Sequence, residues 1–347
     1  MDNEAVQTHG GLTDAERQRI GPNGWDFSTN TNPFGTSPKV RQALRSASVS
    51  HYPDPHAKAL TAAIADHEGV SPGEILIGNG STELIWALYH SLPTGAIAVI
   101  PAPTFGAYAE GAAATGHTVI TVAPNGLHFD LTALLVAVEA HHPAVTFLCS
   151  PNNPTGQIVD NATITSLANA ASPGLIVVDR AYREYAPLEQ QRSCSGDNIL
   201  TLCSLTKAYG LAGLRLGYLV GAAARLDTMR RQIPIWSVNA FAQVGGIVAL
   251  SDSHWLARTV ARRARAAEYL ITKLEKYDFR ILSAECGFVL VDVGDATIYR
   301  HALLELGFAV RDCTSFGLPH AIRISPGPLA ACGRLVAALN RVRLINP

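Results

Sequence analysis

Residues 203–218 read CSLTKAYGLAGLRLGY, and the placing of one lysine in this stretch decides the fold. The run before it, NILTLCSL (198–205), is an apolar strand, and Lys207 follows that strand at once. Arg215 comes eight residues later, again among apolar neighbours. A lysine is more often solvated than held against a core. Two cations fixed at a strand end and its following loop mark a place where a ligand is gripped.

Working outward, short apolar runs alternate with helical patterns. EILIG (74–78), AIAVIP (96–101), HTVITV (117–122), VTFLCS (145–150), LIVVD (175–179), ILTLCS (199–204) and RLGYLVG (215–221) have strand composition. STELIWALYHSL (81–92) and NATITSLANAA (161–171) have helical composition. That alternation predicts an α/β domain around a mostly parallel central sheet flanked by helices. After about residue 240 the pattern changes. A long helical run (254–277) precedes strand-like GFVLVDV (287–293) and AIRIS (321–325), which predicts a smaller α+β domain. Residues 1–40, rich in Gly, Pro, Asn and Thr, are expected to form an irregular arm and part of the small domain. Residues 41–240 form the large domain, and 241–347 a linking helix and the small C-terminal domain.

In sheets of this kind ligands bind at the carboxyl ends of the strands. Taken in order, those ends carry GNGSTE (78–83), PTF (103–105), SPNNPTG (150–156), VVDRAY (177–182) and SLTK (204–207). Small residues opening a helix let backbone N–H groups reach an anion, although Gly-Asn-Gly alone marks only a turn. An aromatic after a strand is usually core. Asp179, ending an apolar strand, is costly to bury unless a donor or cation meets it. An anion cradle, an aromatic face, a strand-end carboxylate and a lysine share one economical explanation, pyridoxal 5′-phosphate. The phosphate takes the donors, the ring the aromatic face, the ring nitrogen the acid, and the aldehyde the amine.

On these motifs the chain resembles a fold-type I pyridoxal-phosphate enzyme of the aspartate aminotransferase superfamily. The resemblance implies that Lys207 forms the cofactor's Schiff base and that Asp179 pairs with the ring nitrogen. Tyr182 and Asn153 meet the ring 3′-oxygen, and Phe105 stacks on the ring. Gly80, Ser81, Thr82, Ser204, Thr206 and Arg215 belong to the phosphate cradle. Arg323 binds a substrate carboxylate or equivalent anion, with Asn32 and His9 beside the substrate. Arg311 is open between a salt-bridge residue and a ligand for a distal anion. Tyr52 reaches the phosphate of a partner subunit's cofactor, which implies a homodimer.

Two branches compete. NPFG (32–35) and YPDP (52–55) resemble histidinol-phosphate aminotransferases. DFSTNTNPFG (26–35), SLTKAYGLAGLRLGYLV (204–220) and IWSVN (235–239) resemble threonine-phosphate decarboxylases of cobalamin synthesis, the first-ranked reading here. Departures from that pattern are Leu12 after HGG, Arg180 where an acidic residue is usual, and ISPGPL (324–329) after Arg323. The changes at Leu12 and at ISPGPL open a third reading, a paralogue recruited to a bulkier amino-acid conjugate. A non-catalytic cofactor sensor would carry a DNA-binding extension or excess basic charge.

The totals limit the rest. The formal net charge of −1 gives no footprint for nucleic acid or an acidic membrane. MDNEAVQTHGG has no apolar core of a signal peptide, and no run approaches a membrane span. Cys149, Cys194, Cys203, Cys286, Cys313 and Cys332 form no CxxC pair, and no zinc-type spacing occurs. A cytoplasmic enzyme without a metal is expected.

Overall fold

The computed structural model describes residues 10–345 and divides into two compact units. One comprises residues 35–152 and 157–258; the other comprises the described residues up to 34, residues 153–156, and those from 259 onward. The contact-defined division therefore falls at 258/259, within the helix Ser253–Lys276, and not at 240/241. The reason lies in the preceding helix, Ala240–Ser251. It packs into the larger unit through Gly245 and Gly246, where a Cβ would meet Leu214 and Leu216.

The strands in chain order are β1 (Trp25–Asp26), β2 (Ile75–Gly78), β3 (Ile97–Pro101), β4 (Thr118–Val122), β5 (Pro124–Asn125), β6 (His128–Phe129), β7 (Val145–Cys149) and β8 (Leu175–Asp179). They continue with β9 (Ile199–Ser204), β10 (Gly217–Val220), β11 (Arg280–Ser283), β12 (Val289–Asp292), β13 (Phe308–Ala309), β14 (Arg311–Asp312) and β15 (Ala321–Ile324).

The larger unit holds a seven-stranded sheet in the order β2-β10-β9-β8-β7-β3-β4, in which β10 alone runs antiparallel to its neighbours. Both faces are covered, so the strands are continuous apolar runs, not alternating ones. Leu175 and Val177 of β8 face one core with Val145 and Phe147 of β7, while Ile176 and Val178 face the other with Leu148. The parity of β8 then aims Asp179 toward the face covered by the helix Ala107–Ala114.

The smaller unit has a four-stranded antiparallel sheet, β11-β12-β15-β14, with β1 and β13 paired in parallel beside it. Its core joins Phe27, Leu270, Val289, Ile322 and Leu335. The expected irregular arm is regular in part. Residues Asp14–Ile20 form a helix with a reciprocal capping box between Thr13 and Glu16. The Thr-x-x-Glu spacing carried that signal in the sequence.

Candidate active site

Three strand ends of the larger unit converge. β10 begins where β2 and β9 finish, so Gly217 lies in register with Gly78 on one side and Ser204 on the other. This brings Gly80 and Ser81, at the start of the helix Ser81–Ser91, to the same sheet end as Ser204, Thr206 and Arg215. Arg215 takes a left-handed conformation, φ 56° and ψ 66°, which costs a non-glycine residue on the order of 1–2 kcal/mol. That turn sets its guanidinium against Gly80. Gly80 itself has φ +83°, and a Cβ there would stand 2.6 Å from Arg215 Nη2. Glycine is thus required twice over, by conformation and by space.

Ser204 Oγ and Thr206 Oγ1 are 2.7 Å apart. Two hydroxyls, an arginine and the first N–H groups of a helix form a donor set made for a phosphate dianion. Thr82 is half-buried in the first turn of that helix. The fit to a phosphorylated cofactor therefore rests on a cradle that a side chain at Gly80 would fill.

The second half of the fit is Asp179. It is 3 % exposed, and its carboxylate is held by two neutral donors, Tyr108 OH at 2.6 Å and Ala181 N at 2.9 Å. Burial raises its pKa above the ordinary carboxylate value. The bonds from Tyr108 and Ala181 and the charge of Lys207 oppose that rise. A buried carboxylate held by neutral groups suits a protonated ring nitrogen as partner. Lys207 Nζ lies 5.9 Å from the centre of the Tyr182 ring. Phe105 meets Tyr108 edge-on at 5.5 Å, and Tyr108 stacks on Phe147 at 4.6 Å.

Tyr108, the donor to Asp179, is a candidate site residue that sequence reasoning missed. Its only signal is its position, three residues after Phe105 at the start of an alanine-rich helix. Arg180, which replaces the usual acid, is fully buried and donates to Gln190 O, Asn161 Oδ1 and Cys194 Sγ.

The remaining candidates are divided between the two units. In the smaller unit Arg323 of β15 donates to Asn153 Oδ1 and to Ser28 O, the latter at 2.7 Å. Arg311 of β14 stands directly opposite Arg323 in register. The two are 2 % and 3 % exposed, and Arg311 donates to Ser315 Oγ at 2.6 Å. Burial, and then the Arg323 charge, draw Arg311 down to about 10. Asn32 donates to Thr259 Oγ1 at 2.9 Å. Tyr52, in the larger unit, is 79 % exposed and stacks on Trp236 with centroids 4.6 Å apart. His9 lies outside the described residues. Within the Trp-Ser-Val-Asn run, Ser237 bonds Glu83 and Asn239 caps the helix Ala240–Ser251, so these residues have structural work to do. Among the described residues no group of three or more metal-ligating side chains occurs, and no helix is long and apolar enough to cross a membrane.

The family model for aminotransferase class I and II matches residues 22–339. Histidinol-phosphate aminotransferase from Symbiobacterium thermophilum is 35 % identical over 321 residues, covering 90 % of this chain and 89 % of the relative. The structure of histidinol-phosphate aminotransferase from Sinorhizobium meliloti in complex with pyridoxal 5′-phosphate superposes with a TM-score of 0.90 at 25 % identity, covering 100 % of this chain and 99 % of that one. L-threonine-O-3-phosphate decarboxylase from Porphyromonas gingivalis gives a TM-score of 0.79 at 22 % identity over 93 % of this chain and 99 % of that one, a likeness of fold alone. The chain belongs to the aminotransferase class I and II family and is a pyridoxal 5′-phosphate-dependent enzyme.

Proposed function

We propose that the enzyme is an aminotransferase of the histidinol-phosphate type, moving an amino group between a phosphorylated amine and a keto acid. The observation that carries the substrate class is the cross-strand pair Arg311 and Arg323, two buried arginines opposite each other in register, with the charge of Arg323 drawing the Arg311 pKa down. Such a pair is strained by its own repulsion and is relieved by a phosphate or carboxylate that bonds both. The first-ranked reading from sequence, a decarboxylase, gives way to its aminotransferase alternative. Three relatives at 30 % to 35 % identity carry the name histidinol-phosphate aminotransferase, and the decarboxylase likeness is one of fold.

When bound, pyridoxal phosphate supplies an electrophilic carbon and a ring that draws electrons from the substrate's Cα. The chain's residues do the rest. Lys207 would hold the cofactor and move the proton at the substrate's Cα. Asp179, steadied by Tyr108, keeps the ring nitrogen protonated. Tyr182 and Asn153 donate to the ring oxygen, Phe105 covers the ring face, and the Gly80, Ser81, Thr82, Ser204, Thr206 and Arg215 cradle anchors the phosphate. Arg323 and Arg311 hold the substrate's anionic groups, with Asn32 and His9 as further substrate contacts.

The working unit in this reading is a homodimer. Val49, Tyr52, Ile235 and Trp236 expose apolar surface on the larger unit, and Tyr52 crosses to the partner's cofactor phosphate. The six cysteines form no disulfide, in keeping with the reducing cytoplasm. The test is to incubate the holoenzyme with histidinol phosphate plus a keto acid, and separately with threonine phosphate. Transfer of nitrogen in the first mixture is expected. Release of carbon dioxide in the second, with no transfer in the first, would restore the decarboxylase.

A further inference from the structure

Arg183 follows Tyr182 directly and is 4 % exposed. Its guanidinium grips Glu68, the last residue of the helix Lys58–Glu68, at two points: Nη1 to Oε2 at 3.1 Å and Nη2 to Oε1 at 2.5 Å. Tyr218, on β10, donates to Glu68 Oε1 at 2.6 Å and accepts from Arg183 Nη2 at 2.8 Å. Ser193 Oγ donates to Glu68 Oε2 at 2.6 Å. One buried network thus ties a helix end, the loop at 193, the central sheet and the turn after β8.

That turn is a single 3-10 turn, Arg183–Tyr185, with Tyr182 at its head and a bond from Tyr185 N to Tyr182 O at 3.0 Å. Such a turn has poor hydrogen-bond geometry and little rigidity of its own. A buried ion pair is also a costly way to fill space, since apolar residues of like volume often do as well. What this pair adds is direction. A two-point arginine contact, referred to a helix and a strand, sets the turn in one place.

We propose that the Arg183–Glu68 pair, with Tyr218 and Ser193, is a positioning device that fixes the Tyr182 phenol against the cofactor's ring oxygen. It rests on the reading of Tyr182 as that oxygen's partner. A phenol donating to the ring oxygen favours the form in which that oxygen carries more charge. Weakening the bond therefore raises the pH midpoint of the visible band of the bound cofactor.

The experiment titrates that band in the holoenzyme and in Tyr182→Phe, Glu68→Gln, Arg183→Met and Tyr218→Phe. Tyr182→Phe is expected to raise the midpoint by about one pH unit, and the network variants by about half a unit. In the Tyr182→Phe background the network changes should add nothing. Arg183→Met strands two buried carboxylates, Glu68 and Glu184, and is the variant most prone to misfold; Tyr218→Phe removes one oxygen, keeps the ring and carries the test by itself. A Tyr218→Phe protein that melts lower yet titrates as the wild type would make the network merely structural, and so would a shift that persists without the Tyr182 phenol. If Tyr182→Phe leaves the midpoint unmoved, the assignment of Tyr182 fails first and the proposal falls with it.

Discussion

The phenol of Tyr108 donates to Asp179 Oδ2 across 2.6 Å, and neither residue has appreciable access to water. The bond follows from strand parity. Asp179 ends β8 on the face that carries Val177, and the helix Ala107–Ala114 lays Tyr108 on that face against Phe147 of β7. Burial pushes the Asp179 carboxyl up, and the Tyr108 bond is the largest influence holding it down.

Tyr108→Phe should therefore cost the enzyme electron-withdrawing power without disturbing the core. A hydrogen bond to a charged group contributes about 1.5–3 kcal/mol, which predicts a fall in kcat/KM of roughly 10- to 100-fold. Steady-state kinetics and fluorescence titration of the apoenzyme with the cofactor measure both consequences. An unchanged kcat/KM would remove Tyr108 from the active site.

Asp179 should also weaken the apoenzyme. Its pKa is raised on folding, so its charge is better tolerated in the unfolded chain. Stability is greatest below the ordinary carboxyl value near 4 and is lost as pH rises through the folded value. Asp179→Asn is expected to raise the melting temperature of the apoenzyme at pH 7 while abolishing turnover. A lower melting temperature for the Asn variant would contradict the cost assigned to this carboxylate.

Glu68 has the opposite sign. Burial raises its pKa, but the bonds from Arg183, Ser193 and Tyr218 outweigh burial and bring it down to about 2. Its stability contribution, about 3 kcal/mol, is present above pH 4.5 and lost as pH falls toward 2. Urea denaturation across that window should show a steep acid limb in the wild type and a flatter one in Glu68→Gln. Parallel limbs would mean that the carboxylate titrates as an exposed one does.

Much of this arrangement was legible in the sequence because a buried parallel sheet writes its strands as continuous apolar runs. A polar residue ending such a run has few explanations. Asp179 after LIVV and Lys207 after ILTLCSLT stood out on that ground. Tyr108 did not, since a tyrosine in AYAEGAAA has the look of core, and nothing in its spacing points to a carboxylate seventy-one residues later. Arg183 stayed hidden for a related reason. Its partner Glu68 ends a helix 115 residues earlier, and long-range ion pairs leave no local pattern. The residues of IWSVN favoured a decarboxylase branch; in the structure Ser237 bonds Glu83 and Asn239 caps a helix, contacts that a local pattern does not reveal.

Lys207 should carry the cofactor. Borohydride reduction of the holoenzyme followed by peptide mapping is expected to place the pyridoxyl group on the peptide containing SLTKAYG, and Lys207→Ala should bind the cofactor without a covalent link. Turnover should fall by a factor on the order of 10²–10⁴ or more, the range for loss of a positioned acid–base group. A label on another lysine would move the whole site.

Arg311 tests the substrate class. It faces Arg323 across β14 and β15, and burial together with that neighbouring charge draws it down to about 10. It is still charged at neutral pH, so a phosphate placed against it gains a charge-assisted bond and relieves the repulsion between the two guanidinium groups. Arg311→Gln should lower kcat/KM for a phosphorylated substrate roughly 10- to 100-fold, from the 1.5–3 kcal/mol of a bond to a charged group. An unphosphorylated analogue should be used about equally by both proteins. Equal losses on both substrates would instead make Arg311 a support for the strand that carries Arg323.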